Sequence, residues 1–507
     1  MSIESIRWKI TQAVRRGLLG TRPNGFVRQL YGTVRTLPLV NAIWRRLDQG
    51  GTSNGLDASY YARMGGVFST NSLSTTQFDA PAADPTSQAF FTDLIQRIRA
   101  CEPALQAVPG RIVLINNGLS AGGAERQIKY TLIGLARQGK DIRFLGEYLG
   151  IAAGLDFHLP PVQKAGVEAR APGQLKRPFK QTYATISRPV ADALCKLPSG
   201  MVIEILAMVD ELRAIRPAVV HLWQDETSIK HAISALVAGV PRIIVSGRNL
   251  NPTYFSFHQP YMHGAYRALI AAGAVTLSNN SHAGARSYGE WLGIDAGKIQ
   301  VVHNGVDTSL WPVPSAAESR AWRMDNKIAS EDTLVLGAFR LSPEKRPILW
   351  LQVAAAAVAR RPDLVFALAG DGPMRPQVEA EIARLSLQAH VRLLGEIPHV
   401  ATPMSAADGM MLLSAQEGLP NVLLEAQWYG LPCFVTDAGG VREAISDGVT
   451  GIVSGENDPE ILATLLLQML SDPSLQNTAR SEGPALLRAR FGMQRMLDET
   501  WKLYAVD

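Results

Sequence analysis

Short apolar runs alternate with helix-like stretches along most of the chain. Each run has the length of a buried strand, and most are followed by a stretch with the apolar spacing of a helix. Parallel strands joined by crossover helices produce this alternation, so the pattern predicts a doubly wound α/β domain. The strands predicted for a first series lie at 111–117, 141–148, 218–223, 242–246, 275–278 and 299–303.

A second series repeats the design after a polar stretch at 307–332. Successive α/β domains leave a cleft between them, and open α/β sheets bind ligands at the carboxyl ends of their strands. We therefore expect Rossmann-like domains at 109–310 and 311–490, with the site in the cleft. The strands predicted for the second series lie at 333–339, 364–369, 391–394, 410–414, 433–436 and 450–453.

Residues 1–108 are expected to form a basic, partly flexible accessory region. Stretches at 49–55 and 69–87 are predicted as loops, and a helical pattern at 88–107 leads into the first domain. Basic residues far outnumber acidic ones over 1–50, with apolar residues interleaved. This segment is a solvated basic arm, a tail packed on its own domain, or a peripheral contact with anionic lipid on the cytoplasmic face of the inner membrane.

The composition excludes several classes of protein. The chain has 507 residues, of which 47% are hydrophobic and 19% charged, as in packed globular proteins. No apolar run reaches the roughly 20 residues of a membrane span. Three scattered cysteines and an N-terminus without a secretory signal predict a cytoplasmic location. The net charge of +5 comes without a nucleic-acid-binding motif, so no nucleic acid is expected as a partner.

Two loops at predicted strand ends have residues suited to binding phosphate. Gly122 and Gly123 lie between a strand and a helix, where a ligand can approach the backbone and the helix N-terminus. Arg340 ends a strand, and Lys345 precedes the helix that Pro347 begins. Two cations placed there suit a diphosphate. The alternatives are a tight turn for the glycines and a solvated basic turn for the cations.

Two carboxylates follow the predicted strand at 410–414. Glu417 lies in the loop before Pro420, and Glu425 lies in the second turn of the helix that follows. The neighbours of Glu425 are apolar, and such surroundings disfavour a carboxylate that has no binding partner. Glu425 could accept hydrogen bonds from two adjacent hydroxyls, as on a ribose, and Glu417 could do the same for a hexose.

Six short motifs in order carry a resemblance that covers the chain from about residue 111 to its C-terminus. The sequence resembles the retaining glycosyltransferases of family four, which have the GT-B fold. Each motif is weak alone, and their order makes the resemblance specific. They are G-G-A-E-R-Q at 122–127, H-N-G-V-D at 303–307, R-L-S-P-E-K at 340–345, A-G-D-G-P at 369–373, E-G-L-P-N-V-L-L-E-A at 417–426 and T-D-A-G-G at 436–440.

The resemblance implies a nucleotide-diphosphate sugar as donor, no metal and no further cofactor. It also implies that a C-terminal helix at 491–507 crosses back to the first domain. Glu425 would hold the ribose, and Glu417 would orient the transferred sugar and act in catalysis. The other donor-binding residues that it implies are Gly122, Gly123, Arg340, Lys345, Gly418, Leu419, Pro420 and Asn421.

One position departs from the family pattern. Many members have H-x-H where this chain has His221 and Trp223, so the histidine often assigned a catalytic role is missing. His221 and Asp225 are candidates to assist catalysis, and a structural role is the alternative for His221. Arg248 is a candidate for contact with the acceptor or a phosphate. In the front-face mechanism proposed for the family, the leaving phosphate takes the proton of the acceptor.

The leading hypothesis is a hexosyltransferase-like enzyme that transfers a sugar, with retention, to a glycan or a polyprenyl-diphosphate-linked acceptor in bacterial surface polysaccharide assembly. The alternatives are a non-catalytic scaffold that binds a nucleotide sugar or glycan, and a GT-B-like nucleotide-sugar epimerase or hydrolase.

Overall fold

The computed structural model describes residues 85–150, 154–172 and 179–504, and this part of the chain forms two parallel β-sheets with their helices. The predicted basic segment at 1–50, the predicted loop at 49–55 and residues 69–84 of the predicted loop at 69–87 lie outside the described residues. The last three residues of that loop, 85–87, instead begin the helix Pro85–Cys101. We call the first sheet with its helices the first domain and the second sheet with its helices the second domain. Both are Rossmann-like, as predicted.

The first sheet has the strand order β3-β2-β1-β4-β5-β6-β7, and every neighbouring pair is parallel. The chain therefore starts in the middle and winds outward in both directions, as in doubly wound domains. The strands are β1 Val108–Asn116, β2 Ile142–Gly146, β3 Ala169–Arg170, β4 Pro217–Trp223, β5 Arg242–Gly247, β6 Thr276–Asn279 and β7 Gln300–Val301.

The second sheet has the strand order β10-β9-β8-β11-β12-β13, again parallel throughout. Its strands β8 and β11 are neighbours, so the loops that follow them share one edge of the sheet. The strands are β8 Thr333–Ala338, β9 Leu364–Ala369, β10 Val391–Gly395, β11 Gly409–Leu412, β12 Cys433–Thr436 and β13 Gly451–Ser454.

Helices connect the strands in both domains. The helices of the first series are α1 Pro85–Cys101, α2 Gly123–Arg137, α3 Leu159–Lys164, α4 Phe179–Ala184, α5 Arg188–Leu194, α6 Ser199–Ile215, α7 Asp225–Ala238, α8 Tyr261–Ala271 and α9 His282–Leu292. Those that follow are α10 Ala316–Asp325, α11 Pro347–Val358, α12 Arg375–Arg384, α13 Ala401–Ala406, α14 Asn421–Trp428, α15 Val441–Ala444, α16 Pro459–Leu470, α17 Pro473–Phe491 and α18 Met493–Tyr504.

Alternate residues of β1 divide the core of the first domain into two layers. Val113 packs in one layer, which also holds apolar residues of α1. Leu114 packs in the other, which also holds Leu497 and Tyr504 of α18. The last helix of the described chain therefore belongs to the core of the first domain, although the second domain precedes it in sequence.

The structure corrects the predicted boundary between the first helix and the first strand. The pattern predicted a helix at 88–107 and a strand from residue 111, whereas α1 ends at Cys101 and β1 begins at Val108. Pro103 follows the helix by two residues, and a proline there cannot continue it. The strand then starts early because the Val108 amide donates to the carbonyl oxygen of Arg216 at 2.8 Å.

Candidate functional site

The loop between β1 and α2 contacts the start of α14, so the two domains meet at the predicted glycine loop. Nδ2 of Asn421 donates to the carbonyl oxygen of Gly123 at 3.0 Å. A Cβ atom on Gly123 would lie 2.9 Å from that Nδ2, so any side chain there would displace the Asn421 amide. At Gly122, a Cβ atom would lie 2.1 Å from Oε2 of Glu125. The structure thus brings the predicted donor-binding residues Gly123 and Asn421 together.

The Asn421 side chain is the centre of the contact between the domains. Its Oδ1 accepts hydrogen bonds from Nδ2 of Asn304 at 2.8 Å and Nε2 of Gln127 at 3.1 Å. Asn304 also donates to the carbonyl oxygen of Leu419 at 3.1 Å. Pro420, which lies between Leu419 and Asn421 in the sequence, is the N-cap residue of α14. The sequence indicated no role for Asn304 or Gln127, although they lie in the motifs at 303–307 and 122–127.

The carboxylate of Glu417 lies in the loop after β11, where it is 4% exposed. It accepts hydrogen bonds from Nζ of Lys345 and, at 2.7 Å, from Oγ of Ser414. Arg340 follows the adjacent strand β8, and its side chain is exposed. Its guanidinium makes no hydrogen bond or ion pair within the part of the chain that the structure describes. Of the two cations predicted to bind a diphosphate, Lys345 is therefore paired with Glu417, and Arg340 is open to solvent.

Glu425 lies in the second turn of α14 and is 4% exposed. Its Oε1 accepts a hydrogen bond from Nη1 of Arg126, which lies on α2 of the first domain. This ion pair joins the two domains at the carboxylate predicted to hold the ribose. Arg126 was missed because nothing in the sequence connects it with a residue 299 positions away.

His221 is buried in β4 between two hydroxyl groups. Its Nδ1 lies 3.0 Å from the Tyr504 hydroxyl and its Nε2 lies 2.6 Å from Oγ of Ser246. Burial, with a smaller effect from the charge of Arg248, lowers the pKa of His221 to about 3. An imidazole with so low a pKa is a weak base. Both of its nitrogens also have partners in the protein.

Asp225 is the first residue of α7 and is 7% exposed. Its Oδ1 accepts hydrogen bonds from the hydroxyls of Tyr266, at 2.8 Å, and Tyr288. Burial raises the pKa of Asp225, and the two hydrogen bonds oppose this rise. These contacts suit a structural role in the first domain, and the catalytic roles predicted for Asp225 and His221 stay predictions.

Arg248 follows β5 and lies against the second domain. Its guanidinium stacks over the Trp223 ring at 4.0 Å, and Nη2 donates to Oδ1 of Asn304 at 2.6 Å. The contact between the domains is tight, since a Cβ atom on Gly418 would lie 2.7 Å from the carbonyl oxygen of Arg248. Arg248, predicted to contact the acceptor or a phosphate, therefore adjoins the loop predicted to orient the sugar.

A second contact between the domains is built on Glu443. Its carboxylate accepts hydrogen bonds from the amides of His282, at 2.9 Å, and Ala283, at 2.8 Å, which begin α9. It also lies 2.8 Å from Nε2 of His303. The ligand atoms of His282, His303 and Glu443 lie within 4.8 Å of one another, a spacing at which they could hold a metal ion. The backbone hydrogen bonds already explain the position of the carboxylate as a helix cap.

Comparison with known families and proteins agrees with this architecture. A model described as Glycosyltransferase Family 4 matches residues 121–310, and one described as Glycosyl transferases group 1 matches 318–485. Anabaena Alr3699/HepE, solved in complex with UDP and glucose, is 19% identical with a TM-score of 0.62, covering 78% of this chain and 98% of that one. A glycosyltransferase from Rickettsia africae is 15% identical with a TM-score of 0.61, covering 78% and 98%.

Sequence relatives point the same way. The Vi polysaccharide biosynthesis protein VipC/TviE of Salmonella typhi is 31% identical over 68% of this chain and 62% of its own length. A D-inositol 3-phosphate glycosyltransferase of Thermobispora bispora is 32% identical over 38% and 47%. The chain thus matches less than two thirds of the length of either relative.

The fold and the order of the two matched regions define a two-domain protein of the GT-B class. The chain belongs to the family-four glycosyltransferases. Within the described residues, no helix has both the length and the apolar character that a membrane crossing requires.

Proposed function

We propose that this protein is a retaining glycosyltransferase that uses a nucleotide-diphosphate sugar in the assembly of a bacterial surface polysaccharide. The observation that carries the proposal is the placement of two buried carboxylates and two cations at one edge of the second sheet. Glu417 and Glu425 follow β11, while Arg340 and Lys345 follow the adjacent strand β8. Family membership supports the reaction class.

The proposed roles follow from the chemistry of these groups. Arg340 and Lys345 bind the diphosphate and stabilise the negative charge that develops on it as the glycosidic bond breaks. Glu425 accepts hydrogen bonds from the ribose hydroxyls, and Glu417 orients the transferred sugar. Because His221 is a weak base, we assign the acceptance of the acceptor's proton to the leaving phosphate.

The proposed acceptor is a glycan or a polyprenyl-diphosphate-linked sugar. One relative is named UDP-Gal:alpha-D-GlcNAc-diphosphoundecaprenol alpha-1,3-galactosyltransferase, from Escherichia coli, and is 25% identical over 56% of this chain. Peripheral contact with an anionic membrane also stays a prediction, because it rests on residues outside the described part of the chain.

Thermal-shift binding of a nucleotide panel tests the donor site. UDP, GDP, ADP, CMP and their sugars are compared on the wild type, on Glu425→Ala and on Glu460→Ala. Glu460 is the matched control, since its side chain is 68% exposed on another helix of the second domain. A ligand at a hundred times its Kd adds about 2.7 kcal/mol of stability. We expect stabilisation by one diphosphate series that Glu425→Ala weakens and Glu460→Ala retains.

Transfer is then followed by NMR with the donor that binds. An acceptor-dependent product with the anomeric configuration of the donor supports a retaining transferase. Binding without turnover would support a scaffold instead, and conversion of the donor without an acceptor would support an epimerase or hydrolase. Failure of every nucleotide to bind would remove the proposal.

A further inference from the structure

Arg248 has a cationic side chain for which the described residues provide no carboxylate at ion-pair distance. Its Nε is buried and has no hydrogen-bond partner among these residues. Burial lowers the pKa of Arg248 to about 9, and the charge of Glu125 opposes this change. An arginine in such surroundings is costly unless an anion completes them. The geometry therefore points to an anionic ligand at this position.

The anion is not the diphosphate of the donor, because other residues account for that charge. In the proposed site the diphosphate belongs to Arg340 and Lys345, which follow β8 of the second domain. Arg248 follows β5 of the first domain. A substrate that satisfies Arg248 therefore carries a negative charge beyond the donor diphosphate, either on one of the sugars or on the diphosphate of a lipid-linked acceptor.

The position of Arg248 places this charge beside the sugar rather than beside the nucleotide. Asn304 accepts a hydrogen bond from the guanidinium and donates one to the carbonyl oxygen of Leu419. Gly418 packs against the backbone of Arg248. Arg248 thus reaches the loop proposed to orient the transferred sugar in two ways. The Asn304 side chain bridges its guanidinium to that loop, and its backbone packs against Gly418.

The surroundings of Arg248 favour a ligand that carries one negative charge on a planar group. Trp223 covers one face of the guanidinium and Asn304 accepts a hydrogen bond from Nη2, while Nε on the edge has no partner among the described residues. A carboxylate matches such an edge in shape and brings one charge. A phosphate with two negative charges would need a second cation beside Arg248. The charged residue that acts on Arg248 is instead an acid, Glu125.

We propose that Arg248 recognises the carboxylate of a uronic acid, so that the enzyme selects a carboxylated sugar as its donor or as the terminal residue of its acceptor. This inference rests on the proposed glycosyltransferase function. It names the class of substrate, which the family and the donor-site residues leave open. The two sources of the carboxylate share one chemistry, and separate experiments distinguish them.

The donor experiment measures Kd by calorimetry for matched pairs of nucleotide sugars. The pairs are UDP-glucose with UDP-glucuronic acid, UDP-N-acetylglucosamine with its uronic acid, and GDP-mannose with GDP-mannuronic acid. A hydrogen-bonded charge pair corresponds to a preference of about 10- to 100-fold for the carboxylated member. Arg248→Gln should abolish the preference and leave the affinity for the nucleoside diphosphate unchanged. Arg188→Gln is the matched control, since that side chain is 93% exposed.

The acceptor experiment measures transfer at a saturating donor concentration. Acceptor saccharides that end in glucuronate are compared with those that end in glucose, for the wild type and for Arg248→Gln. A lower KM for the glucuronate acceptor, lost in the variant, assigns the carboxylate to the acceptor. Arg248→Lys keeps the charge and loses the planar fork. It gives a reduced preference in whichever experiment applies and serves in place of Arg248→Gln if that variant does not fold.

The outcomes separate this inference from the proposed function. A wild-type enzyme that binds a nucleoside diphosphate but treats carboxylated and neutral sugars alike in both experiments overturns the role of Arg248 and leaves the transferase proposal standing. A preference that persists in Arg248→Gln also overturns it. If no nucleoside diphosphate binds, the proposed function fails, and this inference fails with it.

Discussion

The ion pair between Arg126 and Glu425 predicts a variant that binds the donor more tightly than the wild type. If Glu425 accepts hydrogen bonds from the ribose, the nucleotide and Arg126 compete for the same carboxylate. Replacing Arg126 with methionine removes the competitor and keeps much of the apolar length of the side chain. We therefore expect Arg126→Met to lower the Kd for the nucleoside diphosphate.

The size of the effect follows from the burial of the two partners. Glu425 is 4% exposed, whereas the Arg126 side chain is 31% exposed and partly screened by solvent. A hydrogen bond between charged groups contributes about 1.5–3 kcal/mol, which the exposure of Arg126 reduces to about 1–2 kcal/mol. The corresponding decrease in Kd is about 5- to 30-fold.

Calorimetric titration with the nucleoside diphosphate measures this change. Arg126→Lys keeps the charge and should lie closer to the wild type, and Glu425→Ala should bind less tightly than both. Weaker binding by Arg126→Met would refute the competition, because it would show that Arg126 contributes more to the bound state than to the free one. An unchanged Kd would place the ribose elsewhere.

Three further predictions concern other contacts at the cleft. Gly418→Ala places a Cβ atom 2.7 Å from the Arg248 carbonyl oxygen, so kcat/KM should fall more than about tenfold while the Kd for the nucleotide stays within about threefold. The pKa of His221 is about 3 in the folded chain and about 6.5 when unfolded, so the unfolded state binds the extra proton and stability falls as pH decreases through that interval. Urea unfolding measures this effect between pH 6 and 4. As the pH falls, the free energy of unfolding should decrease more steeply in the wild type than in His221→Gln, by about 1.4 kcal/mol per pH unit. Asp225→Asn can still accept both tyrosine hydrogen bonds and should keep kcat/KM within about threefold, whereas a general base would lose at least about 100-fold.

The architecture was predictable because its signal is local. Every predicted strand position is occupied by a strand, and Glu425 lies in the second turn of a helix as expected. The short strand β3, Ala169–Arg170, was missed because two residues carry no periodicity. The predicted strand at 299–303 shrinks to Gln300–Val301 because the chain then turns toward the second domain, where His303 meets Glu443.

The contacts between the domains were not predictable, because they join residues far apart in the chain. Arg126 and Glu425 lie in separate motifs, and neither motif indicates the other as its partner. The same holds for Gln127 with Asn421, which are 294 positions apart. Sequence motifs therefore indicated the residues of the proposed donor site, but not the contacts that these residues make with the first domain.

The return of α18 to the first domain has a consequence for biosynthesis. Met496, Leu497, Leu503 and Tyr504 complete a core layer whose other buried members all lie before residue 245. At about 5–20 residues per second, the ribosome needs roughly 13–52 s to produce the intervening 260 or so residues. Throughout that time, the apolar surface of β1 and α2 that α18 will cover is open to solvent or to a chaperone. The nascent chain is therefore most exposed to aggregation after the first sheet has emerged and before its last helix is made.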